Sequence, residues 1–135
     1  MKLLGKSEDD ILRDLETSNI SYDKLLCKSA RIGVLIGVKI LLDAGANVHA
    51  NSDEALRNAT WHGHTEVVKL LLEAGADVHA WNDQALENAS RKGNIELVKI
   101  LLDAGANVHA ENNKALNWAS YNHHSEIIKL LKNKI

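Results

Sequence analysis

The segment Leu41–Ala50 (LLDAGANVHA) returns as Leu71–Ala80 (LLEAGADVHA) and as Leu101–Ala110 (LLDAGANVHA), three copies set 30 residues apart. Near-identity at a fixed interval means that one small unit is stacked on itself, each copy burying its apolar face on the next. Such a stack presents a long repeating surface and no obvious cavity. It favours binding over catalysis.

Aligning Asn51–Ala80 with Trp81–Ala110 shows how the unit is built. A first helix is expected to begin at Asp53 or Asp83, acids suited to an N-cap or first turn. It carries Leu56 and Ala59, or Leu86 and Ala89, three residues apart on one face. Gly63 and Gly93 follow, where a left-handed residue ends a helix. A second helix starts near Thr65–Glu66 or Ile95–Glu96, with a carboxylate in its positive first turn. Its apolar faces are Val67, Val68, Leu71 and Leu72, then Leu97, Val98, Leu101 and Leu102. Gly75 and Gly105 stop it, and Val78 or Val108 turns inward from the extended turn that follows.

These residues resemble the ankyrin repeat family over about residues 20 to 135, carried by the motif G-[HN]-x-E-[VL]-V-K-[LI]-L-L-[ED]-A-G-A-[DN]-V-H-A. The resemblance implies an all-α solenoid of stacked helix-turn-helix units. The repeat departs from the usual family length by being 30 residues long, and the usual T-P-L-H reads EALR, QALE and KALN in a chain with no proline. The missing residues fall where the family has its projecting hairpin, so that loop should be shortened. One domain is expected over 1–135, with 1–20 as an N-terminal capping half-repeat, 21–50, 51–80 and 81–110 as repeats, and 111–135 as a C-terminal capping repeat. In the cap, Ile11, Leu12 and Leu15 share one helix face and should cover Val34, Leu35 and Ile36; the alternative is an apolar patch free for self-association.

Composition excludes several classes. Net charge is −2 with both signs interspersed, so no basic stripe invites nucleic acid or an anionic membrane. Cys27 is the single cysteine, which rules out a disulfide within the chain. No apolar run approaches a signal peptide or the roughly 20 residues of a membrane span. A cytoplasmic protein is expected, monomeric on its own and without a cofactor; the short repeat resembles those of big-genome viruses and intracellular microbes, which would place it in a host cell.

Chemistry has little to work with. His49, His79 and His109 hold one place in successive units, but helices pack about 8–10 Å apart while Zn–N bonds are about 2.0–2.1 Å. They should instead hydrogen-bond the turn backbone between units. His62, His64, His123 and His124 lack an evident third ligand, and Cys27 lacks a base beside it. No catalytic residue and no metal site are expected, and the chain should not be an enzyme.

The remaining candidates lie on the first helices, which line the concave face in the resembled fold. Asn58, Trp61 and His62 point away from Leu56 and Ala59, and the matching sets are Asn88, Arg91 and Lys92, then Trp118, Tyr121 and Asn122. Trp81 follows the His-Ala pair of its unit. Trp, Tyr and Arg dominate interface hot spots. The expected function is non-enzymatic recognition of another protein through this face. A self-associating scaffold is the alternative, and a His-based metal protein stands behind both.

Overall fold

The computed structural model describes residues 21–134. Among them are eight helices and no strand, arranged as four pairs: α1 (Tyr22–Ile32) with α2 (Leu35–Asp43), α3 (Ala50–Trp61) with α4 (Thr65–Glu73), α5 (Ala80–Lys92) with α6 (Ile95–Asp103), and α7 (Ala110–Tyr121) with α8 (Ser125–Asn133). The expected glycine stops are in place. Gly63 and Gly93 are left-handed between the helices of a pair, and Gly75 and Gly105 close the second helix. In the last unit His123 takes the left-handed place of the glycine, with φ 59°.

The first helices stack on one another closely, whereas α2, α4, α6 and α8 form a second row in much thinner contact. Side-chain size accounts for the difference. Ala55, Ala59, Ala85, Ala89, Ala115 and Ala119 let the first helices approach, and all six are buried. Tight packing in one row and loose packing in the other bends the stack, so the first helices line its concave side. Leu26, Leu56 and Leu86 fill the space between rows against Val38, Val68, Val98, Leu71, Leu101 and Leu131, all buried. Val48, Val78 and Val108 tuck under the turns as their spacing predicts.

The start of each first helix differs from expectation. Instead of a right-handed helix from Asp53 or Asp83, three consecutive residues are left-handed: Asn51–Asp53, Trp81–Asp83 and Glu111–Asn113, with φ between 53° and 62°. Right-handed helix begins only after them. Each such residue costs roughly 1–2 kcal/mol unless it is glycine or a short amide or acid that bonds locally. Asn and Asp fill six of the nine places. With the hairpin shortened, this left-handed turn reverses the chain. Arg57 braces it in the second unit, donating from Nε to Ser52 O (3.0 Å) and from Nη2 to Asn51 O (2.8 Å).

The Asp that ends the triplet also ties the start of its unit to the turn that closes it. Asp53 Oδ1 accepts from the Asp77 backbone N–H at 2.9 Å, and Asp83 Oδ1 from that of Asn107 at 2.8 Å. Asp23 does the same for Asn47 at 2.7 Å. At the N-terminal end Val34, Leu35 and Ile36 are exposed, together with Ile32 and Ile40. Ile11, Leu12 and Leu15, their expected cover, lie outside the described residues.

Candidate functional site

The repeated histidines do not bond the turn backbone, contrary to expectation. His49 Nδ1 lies 3.0 Å from Asp53 Oδ1 and His79 Nδ1 2.9 Å from Asp83 Oδ1, each joining the end of one unit to the start of the next; His109 Nδ1 meets Asn113 Oδ1 at 2.8 Å. The turn N–H groups are already taken, by the carboxylates of Asp23, Asp53 and Asp83 and by Asn47, Asp77 and Asn107 bonding His49, His79 and His109 N–H. A carboxylate only accepts, so the proton sits on Nδ1 and Nε2 faces outward. Among the described residues no three His, Cys, Asp or Glu side chains converge on a metal-sized space.

Cys27 is buried, and its thiol is pushed up to about 12 by that burial first and by the hydrogen bond and charge of Glu54 next. A neutral thiol with an acid beside it is the reverse of an activated nucleophile.

The predicted surface residues separate into two groups and one exception. The exception is Asn88, which is 8% exposed and donates from Nδ2 toward Arg57 O at 3.5 Å. The close approach of α3 and α5 buries a position that helix spacing alone points outward, so Asn88 packs the array. Asn58, its counterpart one unit earlier, is half-buried.

The larger group sits at the C-terminal ends of the first helices. Arg91 is its centre: its guanidinium carbon lies 4.2 Å from the Trp118 ring centroid and 5.4 Å from that of Trp61. Lys92 Nζ stands 3.9 Å from the Trp61 centroid. Trp118 meets Tyr121 edge to face at 6.0 Å and donates from Nε1 to Glu87 Oε1 at 3.2 Å. Asn122 Nδ2 and His124 both bond Arg91 O, holding the helix end in place. Tyr121 is 76% exposed and Trp61 36%, whereas Trp118 is half-buried along the seam. His62 is exposed beside Trp61 and stacks on His64 at 6.1 Å.

Electrostatics set the character of this group. Lys114 reaches Glu87 at 3.5 Å, and Glu87 also receives Trp118, so the acid here is already occupied. Arg91 and Lys92 have no carboxylate partner among the described residues. Their charge rests against aromatic faces, an arrangement worth about 0.5–2 kcal/mol that leaves the donor edge of a guanidinium free.

Trp81 belongs to a second group. It is 60% exposed and carries the Arg57 guanidinium at 4.0 Å from its centroid, over the left-handed turn. A shallow depression lined by His49, Ser52, Asp53, Asp77, His79 and Asn82 adjoins it. Arg57 is the residue that sequence reasoning overlooked. The signal was available: its place in successive units reads Cys27, Arg57, Glu87 and Asn117, the kind of variation that near-identical repeats keep where surfaces differ.

Four stacked helix pairs, a concave row of first helices and a cation–aromatic cluster on its rim define an all-α repeat solenoid. Comparison narrows the class. The family model for ankyrin repeats (3 copies) matches residues 2–82 and again 78–135. The chain belongs to the ankyrin repeat family, whose members generally act as protein–protein interaction modules. No curated protein matches it. No helix among the described residues is long and apolar enough to cross a membrane.

Proposed function

We propose that this protein is a non-enzymatic recognition module that binds a partner protein through the concave face of its first helices. The contact would centre on Trp61, Arg91, Lys92, Trp118 and Tyr121, flanked by Asn58, His62 and Asn122, with Trp81 extending it along the turn row. The observation that carries the reading is Arg91 held against Trp61 and Trp118 with no carboxylate beside it. Ordering that guanidinium in advance lowers the entropy lost on association, and the aromatic faces supply apolar area. A partner segment with acidic and apolar groups fits such a surface.

The test is affinity capture from lysate by the intact protein and by the triple variant Trp61→Ala, Arg91→Ala, Tyr121→Ala, with helicity checked by circular dichroism. A protein retained by the first and lost by the second supports the groove. Equal retention by both sinks it.

A further inference from the structure

Arg31, Trp61, Arg91 and Tyr121 hold the same place in four successive units, at the C-terminal ends of α1, α3, α5 and α7, and all four are exposed. The concave rim is therefore a ladder that alternates guanidinium and aromatic ring, one rung per unit. Neither guanidinium donates to any acceptor among the described residues; the side chains that bond these two residues meet their carbonyl oxygens, His64 at Arg31 and Asn122 and His124 at Arg91. Adjacent helices pack about 8–10 Å apart, which sets the distance between rungs.

An extended chain in the polyproline II form has three residues per turn and rises about 3.1 Å per residue, so every third side chain points the same way at about 9 Å. That interval matches the rungs. A β-strand does not match, because its side chains alternate faces every residue and positions three apart point in opposite directions.

We propose that the groove reads an extended polyproline II-type peptide of a partner protein in a threefold register, carboxylate and apolar side chain alternating at every third residue. The carboxylates meet Arg31 and Arg91 by paired N–H donors, and the apolar side chains lie on Trp61 and on Tyr121 with Trp118. Lys28 and Lys92, each next to a ladder arginine on the same helix, add positive potential of the same sign. The inference rests on the groove reading above and adds its register and its ligand chemistry.

Two fluorescein-labelled synthetic peptides of 13 residues test it by anisotropy against the full chain. One carries Leu at positions 1, 7 and 13 and Glu at 4 and 10; the other carries the same residues at two-residue spacing. Pro and Ser fill both. The first reads the ladder in either direction. It is expected to bind about tenfold more tightly than the second. The double variant Arg31→Glu, Arg91→Glu should abolish the difference, while Lys99→Glu, a charge reversal on an exposed site of the second row, should preserve it. Equal binding of the two peptides, or binding of neither, overturns the register. If the capture experiment still separates the intact protein from its triple variant in that case, the groove stands and only the register falls; if capture fails as well, both fall.

Discussion

At the scale of single residues, the most heavily used group is the aspartate that ends each left-handed triplet. Asp83 holds His79, at the end of the preceding unit, and the Asn107 N–H in the turn that closes its own unit, from a site that is almost fully buried. Removing it strands a backbone donor, which costs about 1–3 kcal/mol. Asn113, at the same place in the last unit, holds only His109. Asp83→Ala should therefore lower the urea midpoint well below that of Asn113→Ala; equal losses would show that the bond from Asp83 to the closing turn contributes nothing. Cys27 makes a second prediction. Its thiol ionises near 9 when unfolded and is held up to about 12 in the fold. The native state keeps a proton that the unfolded chain releases, so this contribution to stability is whole below pH 9 and is lost as pH rises toward 12. Urea titrations across that window should show a steeper fall for the natural protein than for Cys27→Ala, and parallel curves would contradict the assignment.

At the scale of elements, helix spans were legible because apolar spacing and glycine stops are both local signals. Thr65 and Ile95 begin their helices where the acidic first turn predicts. The left-handed triplets were not legible, since their cause is a shortened loop that must still return the chain to a fixed stack. Only the run of Asn and Asp betrays them. Asn88 was misplaced for a related reason: helix periodicity reports direction and leaves out how closely the neighbouring helix comes. The same closeness makes a prediction at the turn between α5 and α6. Gly93 has φ 78°, and a Cβ there would stand 2.6 Å from His124 Cε1. Gly105, with φ 96°, has nothing within 4 Å of a Cβ. Gly93→Ala should therefore cost more than Gly105→Ala, because the His124 ring must give up its 3.2 Å bond to Arg91 O as well as bear the backbone strain. Adding His124→Ala to Gly93→Ala should recover part of the difference in denaturation midpoint; no recovery would remove the ring from the account.

At the scale of the whole molecule, the two ends of the described stack are chemically unlike. Leu70, Ile100 and Leu130 are each partly buried, and Leu130 lies in the last helix pair, so this position packs toward the preceding unit. Ile40 holds the same place in the first described unit and is 55% exposed, beside the still more exposed Ile36. At the other end, where Leu42, Leu72 and Leu102 would meet a following unit, the chain has Lys132. The last described pair thus carries a charge where the others are apolar, while the first described pair exposes an apolar face. The ankyrin match reaches ahead of α1, to residue 2. Ile36→Glu with Ile40→Glu discriminates between cover and self-association. If residues 7–17 lie on this face, the two carboxylates are forced against apolar side chains, and the variant should unfold at clearly lower urea concentration while its mass by light scattering stays that of one chain. If the face instead joins two copies, the natural protein should grow heavier with concentration, and the variant should lose that growth and keep its stability.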